Sequence, residues 1–96
     1  MTIIVSGSLH VDPSQRDAYL AARVAILAHA RQAPGCLDFS LSADLLDAGR
    51  INVYERWRSR EDLLAYRAGD GPELADDIAL TAADVELHHV SASEPP

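Results

Sequence analysis

Hydrophobic residues recur along this chain in two periods, and the switches between them mark out the elements. Ile3 to Val11 alternates: Ile3, Val5, Gly7, Leu9 and Val11 share one face, with Ser6, Ser8 and His10 opposite. That period of two is the mark of a half-buried strand. From about Pro13 to Ala33 the period becomes 3.6, with Leu20, Val24 and Leu27 on one helical face and Tyr19, Ile26 and Ala30 on the adjoining one. Asp12 is placed to cap this helix, Pro13 suits its first position, and Gln15 sits three residues after the cap. Pro34-Gly35 stops it. Alternation returns in Cys36 to Leu45, with Leu37, Phe39 and Leu41 on one face and Asp38, Ser40 and Ser42 on the other. After an Asp- and Gly-bearing turn, Arg50 to Trp57 predicts a third strand. It groups Ile51, Val53, Glu55 and Trp57 against Asn52, Tyr54 and Arg56. Ser59-Arg60-Glu61-Asp62 resembles a capping sequence and opens a short helix to about Ala68. Gly69-Asp70-Gly71-Pro72 breaks the chain, Glu73 to about Ala82 predicts another short helix, and Ala83 to Ala92 a fourth strand.

The order βαββαβ, with one extra short helix late in the chain, predicts an α+β fold of the split βαβ, ferredoxin-like kind, in which helices cover one face of a four-stranded antiparallel sheet. Residues 1–92 form a single domain in this reading, and residues 93–96 a frayed tail. The other sheet face carries Ser, His, Asp, Asn and Arg but also Ile4, Tyr54 and Val90. It faces either water or a second copy, and an isologous dimer through that open face is the economical expectation.

Composition narrows the function classes. Ninety-six residues bury roughly 60–65% of their unfolded surface, a thin core that burial against another subunit would help. The eight basic residues are all Arg and stand against fifteen acidic ones, a net charge of −7. A net negative domain without a basic stripe is repelled by nucleic acid and by anionic membranes, so neither is an expected partner. No apolar run approaches the ~18 residues of a membrane span, and no secretory leader pattern is present, so a cytoplasmic protein is expected. The single cysteine, Cys36, excludes an intrachain disulfide and a Cys-rich zinc site. His88 and His89 are adjacent in a strand and point to opposite faces, so they cannot share a metal ion, and no metal site is expected.

Two blocks carry a family resemblance. The stretch Ala30-Arg31-Gln32-Ala33-Pro34-Gly35-Cys36-Leu37-Asp38-Phe39-Ser40-Leu41 resembles the helix-to-strand junction of the antibiotic biosynthesis monooxygenase (ABM) family: an Arg, then Pro-Gly, a small residue, Leu and an aromatic. Tyr54-Glu55-Arg56-Trp57 followed by Ser59-Arg60-Glu61-Asp62-Leu63 resembles its second signature: aromatic, Glu, any residue, Trp, and a capped helix. The resemblance implies a homodimer of ferredoxin-like protomers (a dimeric α+β barrel) with a ligand cavity between sheet and helices. It also implies oxidation of quinols or aromatic anthrones by molecular oxygen without metal or flavin. Heme-degrading members carry an Asn in the first strand, a second Trp in the later helix and a His further on. At those positions this chain has Gly7, Tyr66 and Asp76, which argues against heme degradation. Quinol-oxidising members show a His near Tyr66 and a Pro-His-Phe at the helix end, where this chain reads Tyr66-Arg67-Ala68-Gly69-Asp70-Gly71-Pro72. The Glu expected before Pro-Gly is Ala33.

Oxygenation without a cofactor needs a group to take a proton from an electron-rich substrate, donors to hold the resulting anion, and an aromatic wall. Glu55, on the apolar face between Val53 and Trp57, is either such a base or a structural carboxylate bonded to an Arg or to backbone. Trp57 is a donor or plain core, and Tyr66 a pocket residue or core. His89, expected under the helices with Val85 and Leu87, completes the catalytic candidates. Phe39, Leu41 and Val53, with Arg23, are the expected substrate-binding set. Arg23 falls within the apolar arc of the first helix, so it pairs with Glu55, enters the cavity or, as the leading expectation, snorkels to the helix edge. His29 is read as a surface or satisfied residue, and Cys36 as unactivated. Three functions follow: a cofactor-independent monooxygenase on a small aromatic substrate, a cyclase or isomerase using the same groups, or a non-catalytic dimeric small-molecule binder.

Overall fold

The computed structural model describes residues 1–74 and 76–96. Four strands, β1 (Thr2–His10), β2 (Cys36–Ala43), β3 (Arg50–Trp57) and β4 (Ala82–Val90), form one antiparallel sheet in the order β2-β3-β1-β4. A single 3-10 turn (Pro13–Gln15) and helices α1 (Arg16–Ala21), α2 (Val24–Arg31) and α3 (Arg60–Ala68) complete the described elements. The fold is the ferredoxin-like α+β sandwich that the element order predicts.

Cross-strand pairing sorts the side chains. Ile3 lies between Trp57 and His89, Val5 between Glu55 and Leu87, and Leu9 between Ile51 and Ala83. These residues, with Phe39 and Leu41 of β2, form the helix face; Ile4, Ser6, Tyr54, Arg56, Glu86 and His88 form the other. The register slips between Cys36 and Asp38, so Cys36 takes the place opposite Trp57 and Leu37 is left half-exposed. That irregularity removes Leu37 from the face it was expected to share with Phe39 and Leu41. Two clusters make up the core. Ile3, Val5, Ala30, Phe39, Trp57 and Leu63 form the larger one, and Val11, Tyr19 and Ile51 the smaller.

The long helix expected from Pro13 to Ala33 is interrupted at Ala22–Arg23, and the cause is Arg23 itself. In an unbroken helix the Arg23 N–H would donate to the Tyr19 carbonyl. Instead it donates to the Leu20 carbonyl (3.1 Å), and the Tyr19 carbonyl accepts from the guanidinium Nη1 (3.0 Å). The guanidinium stacks 3.3 Å from the centre of the Tyr19 ring and binds Asp76 Oδ2 at 2.8 Å. Arg23 is therefore buried, and neither the snorkelled position nor the pairing with Glu55 occurs. The break also turns Val24, expected in the apolar arc, out to 62% exposure.

The same ion pair accounts for a second departure. The helix expected over 73–82 does not form: the described residues between α3 and β4 run as an irregular strap. Asp76 reaches Arg23, Ile78 packs on the Val11–Tyr19–Ile51 cluster, and the Thr81 N–H donates to the His10 carbonyl at 2.8 Å. Residues two apart can both face the body only in an extended chain; on a helix they point roughly 200° apart.

Removing one member of this pair leaves the other charge buried. Arg23→Ala is expected to lower unfolding free energy by about 3 kcal/mol or more. The double variant Arg23→Met, Asp76→Leu should recover to within about 1 kcal/mol of the parent, because among the described residues Asp76 Oδ1 has no hydrogen-bond partner. Urea unfolding of the three proteins checks both statements.

Candidate functional site

Burial of Trp57 organises the site. The indole is fully enclosed, and its Nε1–H donates to Glu55 Oε1 at 3.0 Å. Both residues project from the same face of β3, two positions apart, which is why the bond can form along one strand. The register of β2 sets Phe39 opposite Glu55 and Cys36 opposite Trp57. Over them lies α3, begun by Ser59, whose Oγ accepts from the Asp62 N–H at 3.1 Å. The Tyr66 ring of α3 packs tilted on Trp57 at 5.1 Å between centroids and edge-on to Phe39 at 6.1 Å. From the last turn of α2, the His29 ring also packs tilted near Tyr66, with ring centroids 5.8 Å apart.

A groove of about 420 Å3 opens beside Tyr66, lined by residues of the α2 end (His29, Gln32–Pro34) and of α3 and its exit (Asp62, Ala65, Tyr66, Gly69, Asp70). Its floor depends on the Pro34-Gly35 turn. Gly35 adopts φ +80°, and a Cβ there would collide with the Asp62 carboxylate, so glycine lets the turn and α3 close together. Arg58 holds that carboxylate through Nη2 at 3.0 Å, which leaves Asp70 as the lining acid without a recorded ion-pair partner among the described residues.

The electrostatics follow from partial burial. Desolvation raises the Glu55 pKa above its usual value, against the opposing pull of the Trp57 N–H and the Arg67 charge. Burial also pushes the Tyr66 phenol up, with the neighbouring Glu55 and Cys36 adding to it, so Tyr66 keeps its proton. The Cys36 thiol is raised by burial, then by Glu55 and Asp38; it is not an activated nucleophile.

The structure thus brings Glu55, Trp57, Tyr66 and Phe39 together. Leu41 and Val53 pair with each other further along the sheet, and neither lines the groove. Arg23 is engaged with Asp76. His89 shares the helix face through its pairing with Ile3 but is exposed on an edge strand and stands outside the groove. His29, read from sequence as a surface or satisfied residue, is exposed and also lines it. The signal was its place one turn before the Pro-Gly stop, where a helix end meets the next helix. Among the described residues no three His, Cys, Asp or Glu side chains converge as metal ligands, and no helix is long and apolar enough to cross a membrane.

The raised Glu55 has a testable consequence. The folded protein holds this proton more tightly than the unfolded chain, so the cost of burying the charge appears as pH rises from the ordinary value of 4.5 through the higher folded one. Glu55→Gln, which mimics the neutral acid, should match the parent near pH 4 and gain on it as pH rises through the folded value, read as urea midpoints across that window.

Comparison with known proteins agrees with this geometry. Residues 2–72 match the sequence profile of the family described as antibiotic biosynthesis monooxygenase, ABM. The uncharacterized protein sll1783 of Synechocystis is 28% identical over 96 residues; the match covers 96% of this chain but 65% of that protein, just under two thirds of its length. A candidate antibiotic biosynthesis monooxygenase of Deinococcus radiodurans superposes with a TM-score of 0.80 at 18% identity, covering 100% of this chain and 98% of that one. Rv0793 of Mycobacterium tuberculosis superposes at 0.66 with 25% identity over 99% and 100% of the two chains. The heme-degrading protein Rv3592 of the same organism does so at 0.68 with 23% identity and the same coverage. With a family profile matched across well over half of its length, the chain belongs to the antibiotic biosynthesis monooxygenase family.

Proposed function

We infer that the protein is a cofactor-independent monooxygenase acting on a small anthrone-, phenol- or quinol-like substrate. The observation that carries this reading is the double contact of Tyr66: it lines the groove, and its ring rests on the Trp57–Phe39 wall behind which Glu55 is held. A planar substrate seated against Tyr66 would lie beside a proton-retaining phenol and close to a carboxylate of raised pKa, with aromatic surface excluding water. For an anthrone the balance is complete without a metal or flavin. Loss of one proton gives an enolate, which passes one electron to dioxygen; the radical pair joins as a peroxide, and loss of water turns the CH2 carbon into C=O. Glu55, Trp57 and Tyr66 are the residues proposed to serve this sequence, and Phe39 the wall.

Heme degradation is not supported by the chain's own residues. At position 7 the backbone adopts φ +152°, and any Cβ would run into the Asp84 carbonyl, so the first-strand position has no room for a side chain. At position 76 the carboxylate is committed to Arg23.

Oxygen uptake with 1,8-dihydroxyanthrone and a hydroquinone panel tests the reading. Turnover by the parent should fall about tenfold or more in a Glu55→Gln, Tyr66→Phe double variant. Rates equal to that variant's would overturn it. Equal product formation under anaerobic conditions would point to a cyclase or isomerase, and tight binding without conversion to a binding domain.

The proposed assembly is a homodimer through the open sheet face, where Ile4 and Tyr54 are only half-buried by the chain's own atoms. Sedimentation at micromolar concentration should give close to twice the 10.4 kDa chain mass. A mass of one chain would contradict this assembly.

A further inference from the structure

We propose that His29 is the proton acceptor of the groove and that the groove selects uncharged planar phenols or enols over anionic aromatics. This rests on the groove being the substrate site of the proposed oxygenase, and it assigns the proton-accepting step to a residue that lines the groove rather than to Glu55, which does not. Three observations carry it. The first is access: His29 is exposed and lines the groove, whereas Glu55 lines no part of it and already accepts the Trp57 N–H. The second is positioning. The imidazole lies against the Tyr66 ring, and Gly71 stands beside it without a side chain, so its Cδ2–Nε2 edge stays open where a Cβ would close to 3.4 and 3.6 Å. An imidazole with that edge open presents a ring nitrogen as an acceptor to a hydroxyl lying along Tyr66. The third is charge. Among the described residues no Arg lines the groove; its charged lining residues are Asp62, paired with Arg58, and Asp70, in a protein of net charge −7. A carboxylate or phosphate ligand would meet Asp70 and an Arg58 already engaged with Asp62, whereas a neutral hydroxyl would meet His29 and Gln32.

A matched set of two-ring probes suits the volume: 2-naphthol, 2-methoxynaphthalene, which lacks the proton, and 2-naphthoate, which carries the charge. Calorimetric titration of the whole protein at pH 8 should rank 2-naphthol about tenfold above its methyl ether, with 2-naphthoate weakest. His29→Phe keeps a ring against Tyr66 but removes the acceptor, and it should erase the preference for naphthol over the ether, read as the ratio of the two affinities. Naphthoate binding as tightly as naphthol, or a naphthol preference that persists in His29→Phe, would overturn the proposal. Its failure is distinct from failure of the oxygenase reading. If the naphthol preference depends on His29 but anthrone oxidation only equals that of the double variant, the assignment stands and the oxygenase falls. If oxygen uptake is robust and His29→Phe changes neither uptake nor naphthol preference, the oxygenase stands and the assignment falls.

Discussion

An indole buried as completely as that of Trp57 must find an acceptor for its N–H, and most of the site follows from how this chain meets that requirement. The acceptor is Glu55, two residues back on the same strand face, so a carboxylate is drawn onto the helix side of the sheet. The carboxylate cannot be desolvated freely, which raises its pKa and keeps it at the margin of the core, in reach of the Arg67 field. Tyr66 closes over the pair, and its own phenol is raised by burial, with the neighbouring carboxylate adding to it. One hydrogen bond thus links the core to the wall of the groove, so a change at Trp57 would disturb packing and site electrostatics together.

The second constraint is the charge buried at Arg23. A guanidinium inside an apolar arc has to be neutralised and hydrogen-bonded, and it draws partners from two directions, the Tyr19 carbonyl and the Asp76 carboxylate. The first breaks the helix and the second ties down the strap. Both departures from the predicted element list therefore have one origin. The strap crosses the smaller cluster, whereas Tyr66 and the groove adjoin the larger one, so the two constraints act on opposite ends of the sandwich.

The strands were legible because alternation over eight or nine residues has a single physical reading when one face is buried: β3 has the predicted bounds, and β1 and β4 differ by one or two residues at each end. What periodicity does not encode is pairing. The slip at Leu37 depends on the partner strand, and the strap depends on a contact 53 residues away in sequence. Glu55, Trp57, Tyr66 and Phe39 could be grouped from their faces and from the family blocks. His89 takes the expected face yet is exposed, because a face says which side a residue takes, not whether three short helices extend over the edge strand to cover it. His29 is exposed, in keeping with the surface reading, but that reading could not show that it lines a groove, since this depends on another helix end being brought beside it.

The position of the groove changes how acid–base chemistry in this chain should be framed. A base buried within the core acts on a substrate that has displaced the core's own packing, and here Phe39, Trp57 and Tyr66 already fill that space. A base at the groove acts on a substrate that leaves the packing intact, and the buried carboxylate then works through its field. Within the proposed reaction, negative charge behind and beside the substrate makes its anion less stable and therefore a stronger one-electron donor to dioxygen. The same field disfavours forming the anion at all, unless the departing proton remains close as an imidazolium. Under that proposal an acidic groove and an adjacent histidine would be two halves of one arrangement: the first would raise the reducing power of the bound anion, and the second would keep that anion accessible.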